Sequence, residues 1–227
     1  MKLLPAIFDF ILPRFCPACQ RKLSLTEKLI CDNCRKTFVC ADNKLIQSEY
    51  EKKFSESKII SDFYPLFVFE KDSPLQHVIH QIKYQKKFLL AVELGKMLGN
   101  SLLKSKAGWK VDIILPVPLH SLKKAERGFN QSFYIAKGIS RMTNFPVSQS
   151  LLKRKRYTES QTKKNLVERA ENMSEAFVVK RPDKISGKNV LLIDDVITTG
   201  ATIRECGKVL KECGSANIYT ASIALAE

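Results

Sequence analysis

Residues 191–202, with the sequence LLIDDVITTGAT, place two adjacent acids between an apolar run and a group of small residues. The apolar run predicts a buried strand over Val190–Asp194, and the small residues predict a helix that begins near Ala201. Ligands of open α/β sheets bind at the carboxyl ends of the strands, where a strand passes into a helix in this way. This segment is therefore the first candidate for a binding site.

The residues that open the predicted helix favour a phosphate group. The backbone N–H groups of a helix N-terminus and the helix dipole both attract an anion. A glycine at position 200 lets the backbone approach that anion closely. The residues of this predicted phosphate site are Thr198, Thr199, Gly200, Ala201 and Thr202.

The two acids, Asp194 and Asp195, would repel a phosphate unless they bind something else. Sugar hydroxyls, or a Mg²⁺ ion held with them or through water, meet that requirement. A ribose 5-phosphate offers a phosphate to the threonines and a diol to the acids, so it is the ligand that the pattern predicts. Nucleoside-triphosphate and dinucleotide sites would require G-x-x-x-x-G-K-[ST] and G-x-G-x-x-G loops, and the sequence contains neither. A strand–turn–helix unit without a ligand remains the alternative.

Four of the seven cysteines form two C-x-x-C pairs near the N-terminus, Cys16–Cys19 and Cys31–Cys34. Two such pairs predict a tetrahedral zinc site, and four thiolates leave no open position for a catalytic water. A disulfide framework would require a secreted chain. The first 16 residues lack a small-residue cleavage site, and we expect them to form a short amphipathic helix instead of a signal peptide. The role of Cys40 is left open, whereas Cys206 and Cys213 are expected to pack as small apolar residues.

Composition sets the limits of these expectations. The chain has 227 residues, 44% of them hydrophobic, and a formal net charge of +15. The length fits one large domain, or one domain with a small appendage, and the charge favours polyanionic partners. No run reaches the roughly 18–20 apolar residues of a membrane span, so we expect a cytoplasmic protein.

Patterning along the chain divides it into three parts. Residues 1–42 form the predicted zinc module, and residues 61–227 form an α/β domain. Residues 43–60 form a polar connector that lacks Gly and Pro, so part of it could be helical. In the α/β domain short apolar strands alternate with amphipathic helices, which is typical of a parallel sheet flanked by helices. Pro65 within the first strand predicts an edge position. The predicted strands are FYPLFVF, VDIILPVP, AFVV, VLLID and NIYTASIALA.

The segment VLLIDDVITTGAT resembles the phosphoribosyl diphosphate (PRPP) binding motif of type I phosphoribosyltransferases. The stretches DIILPVPLHSLKKAERGFNQS and TESQTKKNLVERAENMSEAF are similar to the ComF family of competence-associated proteins, as is the four-cysteine module. The resemblance covers nearly the whole chain. It implies a type I phosphoribosyltransferase-like sheet with a small N-terminal four-cysteine zinc module.

The resemblance also implies roles for individual residues. A turn after the first core strand would bind the pyrophosphate, and a hood segment from Arg154 to about Asn172 would close over the site. The implied catalytic residues are Asp194, Asp195, Arg127, Arg154 and Arg169, and further hood candidates are Arg156, Thr158, Gln161 and Asn172. The implied PRPP-binding residues are Pro116, Val117, Pro118, Leu119, Ile193, Asp194, Asp195, Val196 and Thr198 to Thr202.

Two functions follow as expectations. The first is a Mg²⁺-dependent transfer of phosphoribose from PRPP to an unknown acceptor. The alternative is a non-catalytic protein of natural transformation that keeps the fold while it handles single-stranded DNA or docks on the DNA-uptake machinery. One departure concerns Lys83 and Tyr84: relatives follow such a pair with Gly, whereas this chain has Gln85 and Lys86, so no role is assigned to Lys83. The sequence leaves the oligomeric state open.

Overall fold

The computed structural model describes residues 12–155 and 176–226. Within them the helices are α1 (Asp32–Lys36), α2 (Asn43–Tyr50), α3 (Pro74–Tyr84), α4 (Phe88–Ser105), α5 (Ser121–Arg127), α6 (Gln131–Thr143) and α7 (Ala201–Glu212). The strands are β1 (Asp62–Val68), β2 (Ile113–Pro116), β3 (Leu152–Arg154), β4 (Phe177–Val179), β5 (Val190–Ile197) and β6 (Ile218–Leu225). Helix α2 continues as a π-helical turn over Glu51–Ser55, and a short 3₁₀ turn spans Pro182–Lys184.

Four strands form one parallel sheet in the order β1-β6-β5-β2. The two central strands, β5 and β6, are almost wholly buried, as expected for parallel strands covered on both faces. Strand β1 lies at an edge, which confirms the position predicted from Pro65. The parallel sheet flanked by helices is therefore the fold that the sequence predicts.

The segment AFVV forms a strand, as predicted, but that strand does not join the parallel sheet. Its residues Phe177–Val179 pair antiparallel with Leu152–Arg154 in a separate two-stranded sheet. A three-residue apolar run carries no information about its partner, because strand pairing is set by contacts distant in sequence. The partner strand β3 and the short helix α5 were not predicted.

The N-terminal module joins the sheet at strand β1. Val68 donates its backbone N–H to the Val39 carbonyl at 2.8 Å, and Ala41 donates to the Leu66 carbonyl at 3.2 Å. The Phe38 ring meets the Phe67 ring edge-on, with 5.2 Å between centroids. Module and sheet thus share one core. In the described part of the chain, no helix combines the length and apolar character that a bilayer span needs.

Helices α4 and α6 cross at unusually close range, because each contributes a glycine to the contact. A Cβ atom built on Gly95 would lie 2.1 Å from the Ile135 carbonyl oxygen, and one built on Gly138 would lie 2.2 Å from the Val92 carbonyl oxygen. Backbone atoms cannot yield as a flexible side chain can. This contact fixes α6 against α4, and α6 carries residues that contact the acids of β5.

We predict that Gly138→Ala destabilises the protein although alanine is the better helix former. The new methyl group would overlap the Val92 backbone, and overpacking of this kind costs about 1–3 kcal/mol. In a chain of this length each kcal/mol lowers Tm by about 2–4 °C. Thermal unfolding measures the effect, with Gly108→Ala as the matched control, since nothing lies within 4 Å of a Cβ built there. Equal Tm values for the two variants would contradict the close-contact interpretation.

Candidate functional site

The two acids of strand β5 are held by the start of helix α6. Ser132 donates from its Oγ to Asp194 Oδ1 at 3.0 Å, and Gln131 donates from its Nε2 to Asp195 Oδ2 at 3.3 Å. Both donors lie in the first turn of α6, so the positive end of that helix faces the carboxylates. The sequence predicted the acids at this edge of the sheet; it did not predict that Ser132 contacts one of them.

Lys83 is the counter-ion of Asp195. Its Nζ lies 3.0 Å from Asp195 Oδ2, and the two side chains are only 23% and 11% exposed. Lys83 was assigned no role from the sequence, yet its spacing along α3 is a usable signal. Lys83 continues the row of Leu75 and Ile79 at intervals of four residues, and both of those side chains are buried. A lysine on the buried row of a helix has a partner inside the protein more often than not.

The carboxyl of Asp194 has an unusual protonation equilibrium. Burial and the adjacent Asp195 carboxylate raise the pKa of Asp194 well above its ordinary value, and they outweigh the hydrogen bonds from the Asp195 backbone N–H and Ser132. Two carboxylates that share one buried site cannot both ionise without cost, and one lysine compensates only part of their charge. The pair therefore favours an additional cation or a set of hydroxyl donors.

The predicted pyrophosphate turn lies beside this pair. Val117 donates its N–H to the Ile193 carbonyl at 2.9 Å, and Asn130 donates from its Nδ2 to the Val117 carbonyl at 2.9 Å. Asn130 is also the N-cap of α6, where its Oδ1 accepts from the Ser132 N–H at 3.0 Å. One buried asparagine thus connects the turn to the helix that holds the acids. Pro116 and Val117 are buried, and Pro118 and Leu119 are partly exposed.

The predicted phosphate loop follows β5 and opens α7. Thr198, Thr199, Ala201 and Thr202 are exposed, while Gly200 is buried. Gly200 is the N-cap of α7 with φ +73°, a conformation that favours glycine. Of the other proposed ligand contacts, Ile193 has no exposed surface and Val196 is partly buried. Ile193 therefore offers no side-chain surface to a ligand, and its carbonyl accepts the Val117 N–H.

Arg127 lies on the Lys83 side of the site. It is only 9% exposed, and its guanidinium Cζ lies 5.7 Å from the centre of the Tyr84 ring. Within the described residues, its buried Nε has no hydrogen-bond partner. A buried guanidinium with unused donor capacity is suited to an anion.

Of the residues predicted for the hood, the described part of the chain includes Arg154. Arg154 lies in β3 with its guanidinium 5.3 Å from the centre of the Phe177 ring, and its Nε is buried without a partner among the described residues. The remaining hood candidates, Arg156, Thr158, Gln161, Arg169 and Asn172, fall outside the described residues.

A second site is built from cysteines. The sulfur atoms of Cys16, Cys19, Cys31 and Cys34 all lie within 4.8 Å of one another, and this cluster could hold a metal ion. The Sγ atoms of Cys19 and Cys31 are 3.7 Å apart. Two sulfur ligands that each lie ~2.3 Å from a tetrahedral zinc ion are separated by ~3.8 Å, so the two distances agree.

Buried Glu27 fixes the loop between the two cysteine pairs. It accepts from the backbone N–H groups of Ser24 and Asp32 at 2.8 Å each and from Arg21 at 2.6 Å. These hydrogen bonds lower the pKa of Glu27 to about 2. The loop geometry therefore depends on an ionised carboxylate that the cysteine pattern alone did not reveal.

Comparison with known proteins agrees with this architecture. A family model described as "Phosphoribosyl transferase domain" matches residues 84–226. Competence protein F of Haemophilus influenzae is 29% identical over 157 residues, which are 67% of this chain and 69% of that protein. DNA utilization protein YhgH of Escherichia coli K12 is 30% identical over 148 residues, 64% of each chain. This chain therefore spans about two thirds of these curated relatives.

Two further similarities are more limited. Competence protein ComFC of Bacillus subtilis is 34% identical over 104 residues, 46% of this chain and 40% of that protein. Among solved structures, the glutamine PRPP amidotransferase of B. subtilis matches 59% of this chain and 26% of its own length, with 22% identity and a TM-score of 0.43. The domain match over more than half of the chain shows the family: the chain belongs to the phosphoribosyl transferase domain family, and its similarity to Competence protein F, YhgH and ComFC is consistent with the ComF family.

Proposed function

We propose that this protein binds PRPP at the carboxyl edge of its sheet and transfers the phosphoribose to an acceptor. The observation that carries the proposal is the juxtaposition of two partly compensated acids with an exposed threonine-rich loop at a helix N-terminus. The loop at Thr198 to Thr202 would bind the 5-phosphate, and Asp194 and Asp195 would bind the ribose hydroxyls. The turn at Pro116 to Leu119, close to these acids, would receive the pyrophosphate.

The acid pair also fits Mg²⁺. Carboxylate oxygens are the protein ligands that this ion prefers. The charge of Asp195 already disfavours ionisation of Asp194, and a bound cation would offset that effect. When bound, Mg²⁺ would supply positive charge for the departing pyrophosphate. The chain's own part is to orient the ribose through its acids and to offer Arg127 and Lys83 as cations near the leaving group. No protein nucleophile is needed, because an acceptor can attack the anomeric carbon directly.

A second candidate is a DNA-handling role in natural transformation. It is favoured by the printed names of the relatives, "Competence protein F" and "DNA utilization protein YhgH", and by the net charge of +15. Such a protein would keep the fold while single-stranded DNA or a partner of the uptake machinery binds elsewhere. The two roles are compatible with each other.

We predict that PRPP binds with clear dependence on Mg²⁺ and that the double variant Asp194→Asn/Asp195→Asn loses at least about 100-fold in affinity. Each lost charge-assisted contact is worth about 1.5 kcal/mol or more, and about 1.4 kcal/mol is tenfold. Isothermal titration calorimetry with and without Mg²⁺ makes the measurement. Asp183→Asn is the matched control, since this carboxylate is exposed and pairs with Arg181. If folded wild type fails to bind PRPP, the transferase proposal falls and the DNA-handling role takes its place.

The raised pKa of Asp194 gives a separate prediction. Between its unfolded and folded pKa values the folded state holds an extra proton, so this group destabilises the protein as pH rises above about 4. Asp194→Asn removes that penalty and keeps an oxygen that can accept from Ser132. We expect its Tm to exceed that of wild type at pH 7.5 by about 2–4 °C, which is about 1 kcal/mol here, and the difference to shrink at pH 4.5. A lower Tm than wild type at pH 7.5 would contradict this view of the acid pair.

We also propose that the cysteine cluster holds one structural Zn²⁺ ion. Elemental analysis of purified protein should give about one zinc per chain, and Cys34→Ser should lose most of it and lower the Tm, since metal binding contributes to folding. Cys40→Ser is the control, because Cys40 is an exposed thiol outside the cluster. Full zinc content in Cys34→Ser, or none in wild type, would refute the assignment.

A further inference from the structure

The phosphate loop is tied to a segment more than a hundred residues earlier in the chain. Arg204, in the first turn of α7, donates from one guanidinium nitrogen to the Lys53 carbonyl at 2.7 Å and to the Thr199 carbonyl at 3.0 Å. Lys53 belongs to the π-helical turn Glu51–Ser55, which follows α2 within the connector. A single side chain therefore bridges the backbone of the connector and the backbone of the loop.

Gly200 makes a second contact with the same turn. A Cβ atom built on Gly200 would lie 2.8 Å from Phe54 Cε1 and 2.9 Å from Phe54 Cζ. The Phe54 ring is 1% exposed and packs edge-on against Phe63 of β1 at 5.4 Å. The buried Phe54 ring thus packs against the loop backbone at Gly200, and it leaves no room for a side chain there.

The connector turn is itself firmly held. Glu49 is buried and forms ion pairs with both Lys52 and Lys53, while the Tyr50 hydroxyl donates to the Ile60 carbonyl at 2.7 Å. The side chain of Lys53 is 13% exposed, which is low for a lysine. These contacts make the Lys53 carbonyl a stationary acceptor for Arg204.

We propose that Arg204 and Phe54 are positioning residues for the phosphate loop. The π-helical turn that contains Lys53 and Phe54 packs against this loop and holds its backbone in place for PRPP. The inference rests on the proposed function only for the identity of the ligand. Arg204 directs its donors to two carbonyls, so its effect on a bound phosphate passes through the loop backbone. A loop that offers N–H groups to an anion binds it tightly only when those groups are already aligned.

The charge of Arg204 must be separated from its bridging contacts. Arg204→Lys keeps the positive charge and loses the two-acceptor geometry of the guanidinium, whereas Arg204→Met loses both. The control is Lys208→Met, which removes an exposed charge one turn later in α7. We expect Arg204→Lys and Arg204→Met each to bind PRPP about tenfold more weakly than wild type, with Lys208→Met unchanged. Phe54→Leu, which keeps apolar volume and loses the flat ring, should act in the same direction.

Two readouts distinguish positioning from a general loss of stability. Calorimetric PRPP affinity should fall while zinc content and Tm stay near wild-type values in the Arg204 variants. Hydrogen–deuterium exchange should show faster exchange in a peptide covering 198–204 and unchanged exchange in β6.

The outcomes also separate this inference from the proposed function. If Arg204→Lys binds PRPP as wild type does and only Arg204→Met weakens, charge alone acts and the inference is overturned. It is equally overturned if neither variant changes affinity or loop exchange, while the proposed function then stands. If wild type binds no PRPP, the proposed function fails, and faster loop exchange in both variants would still establish the bridge.

Discussion

Two adjacent carboxylates lie in the second half of the buried strand β5, and the groups around them offset only part of their mutual repulsion. Asp194 and Asp195 face a helix N-terminus, a serine, a glutamine and one lysine. Together these groups supply too little positive charge to balance two ionised carboxylates. The close glycine contact between α4 and α6 fixes the helix that provides two of these donors. The site therefore carries negative charge that is only partly compensated, and a ligand with a cation or with hydroxyl donors would stabilise it.

Much of this could be predicted from sequence, because the relevant signals are local. The apolar run before Asp194 and the small residues after it specify a strand, a turn and a helix through periodicity and capping chemistry alone. The two C-x-x-C pairs predict a cluster for the same reason, since each pair constrains its own turn. Pro65 predicted an edge strand because proline has no backbone N–H to donate to a neighbouring strand.

The rest depends on contacts between distant segments. No local pattern shows that Lys83 reaches Asp195, although its place on the buried row of α3 was a usable signal. The connector was predicted as a polar linker, yet Ile46 and Phe54 are buried in the common core. Charged residues such as Glu49 make this segment look solvent-exposed in the sequence. The ion pairs that allow Glu49 to be buried form only after folding.

The backbone ladder between the N-terminal module and β1 has a consequence beyond the positioning of either part. An edge strand exposes unpaired N–H and C=O groups that can recruit another chain, and natural proteins cover such edges. Here Val39 and Ala41 occupy part of the outer side of β1. A chain whose cysteine module has come apart would leave that side of β1 uncovered, and an uncovered edge strand can pair with the same strand of another copy.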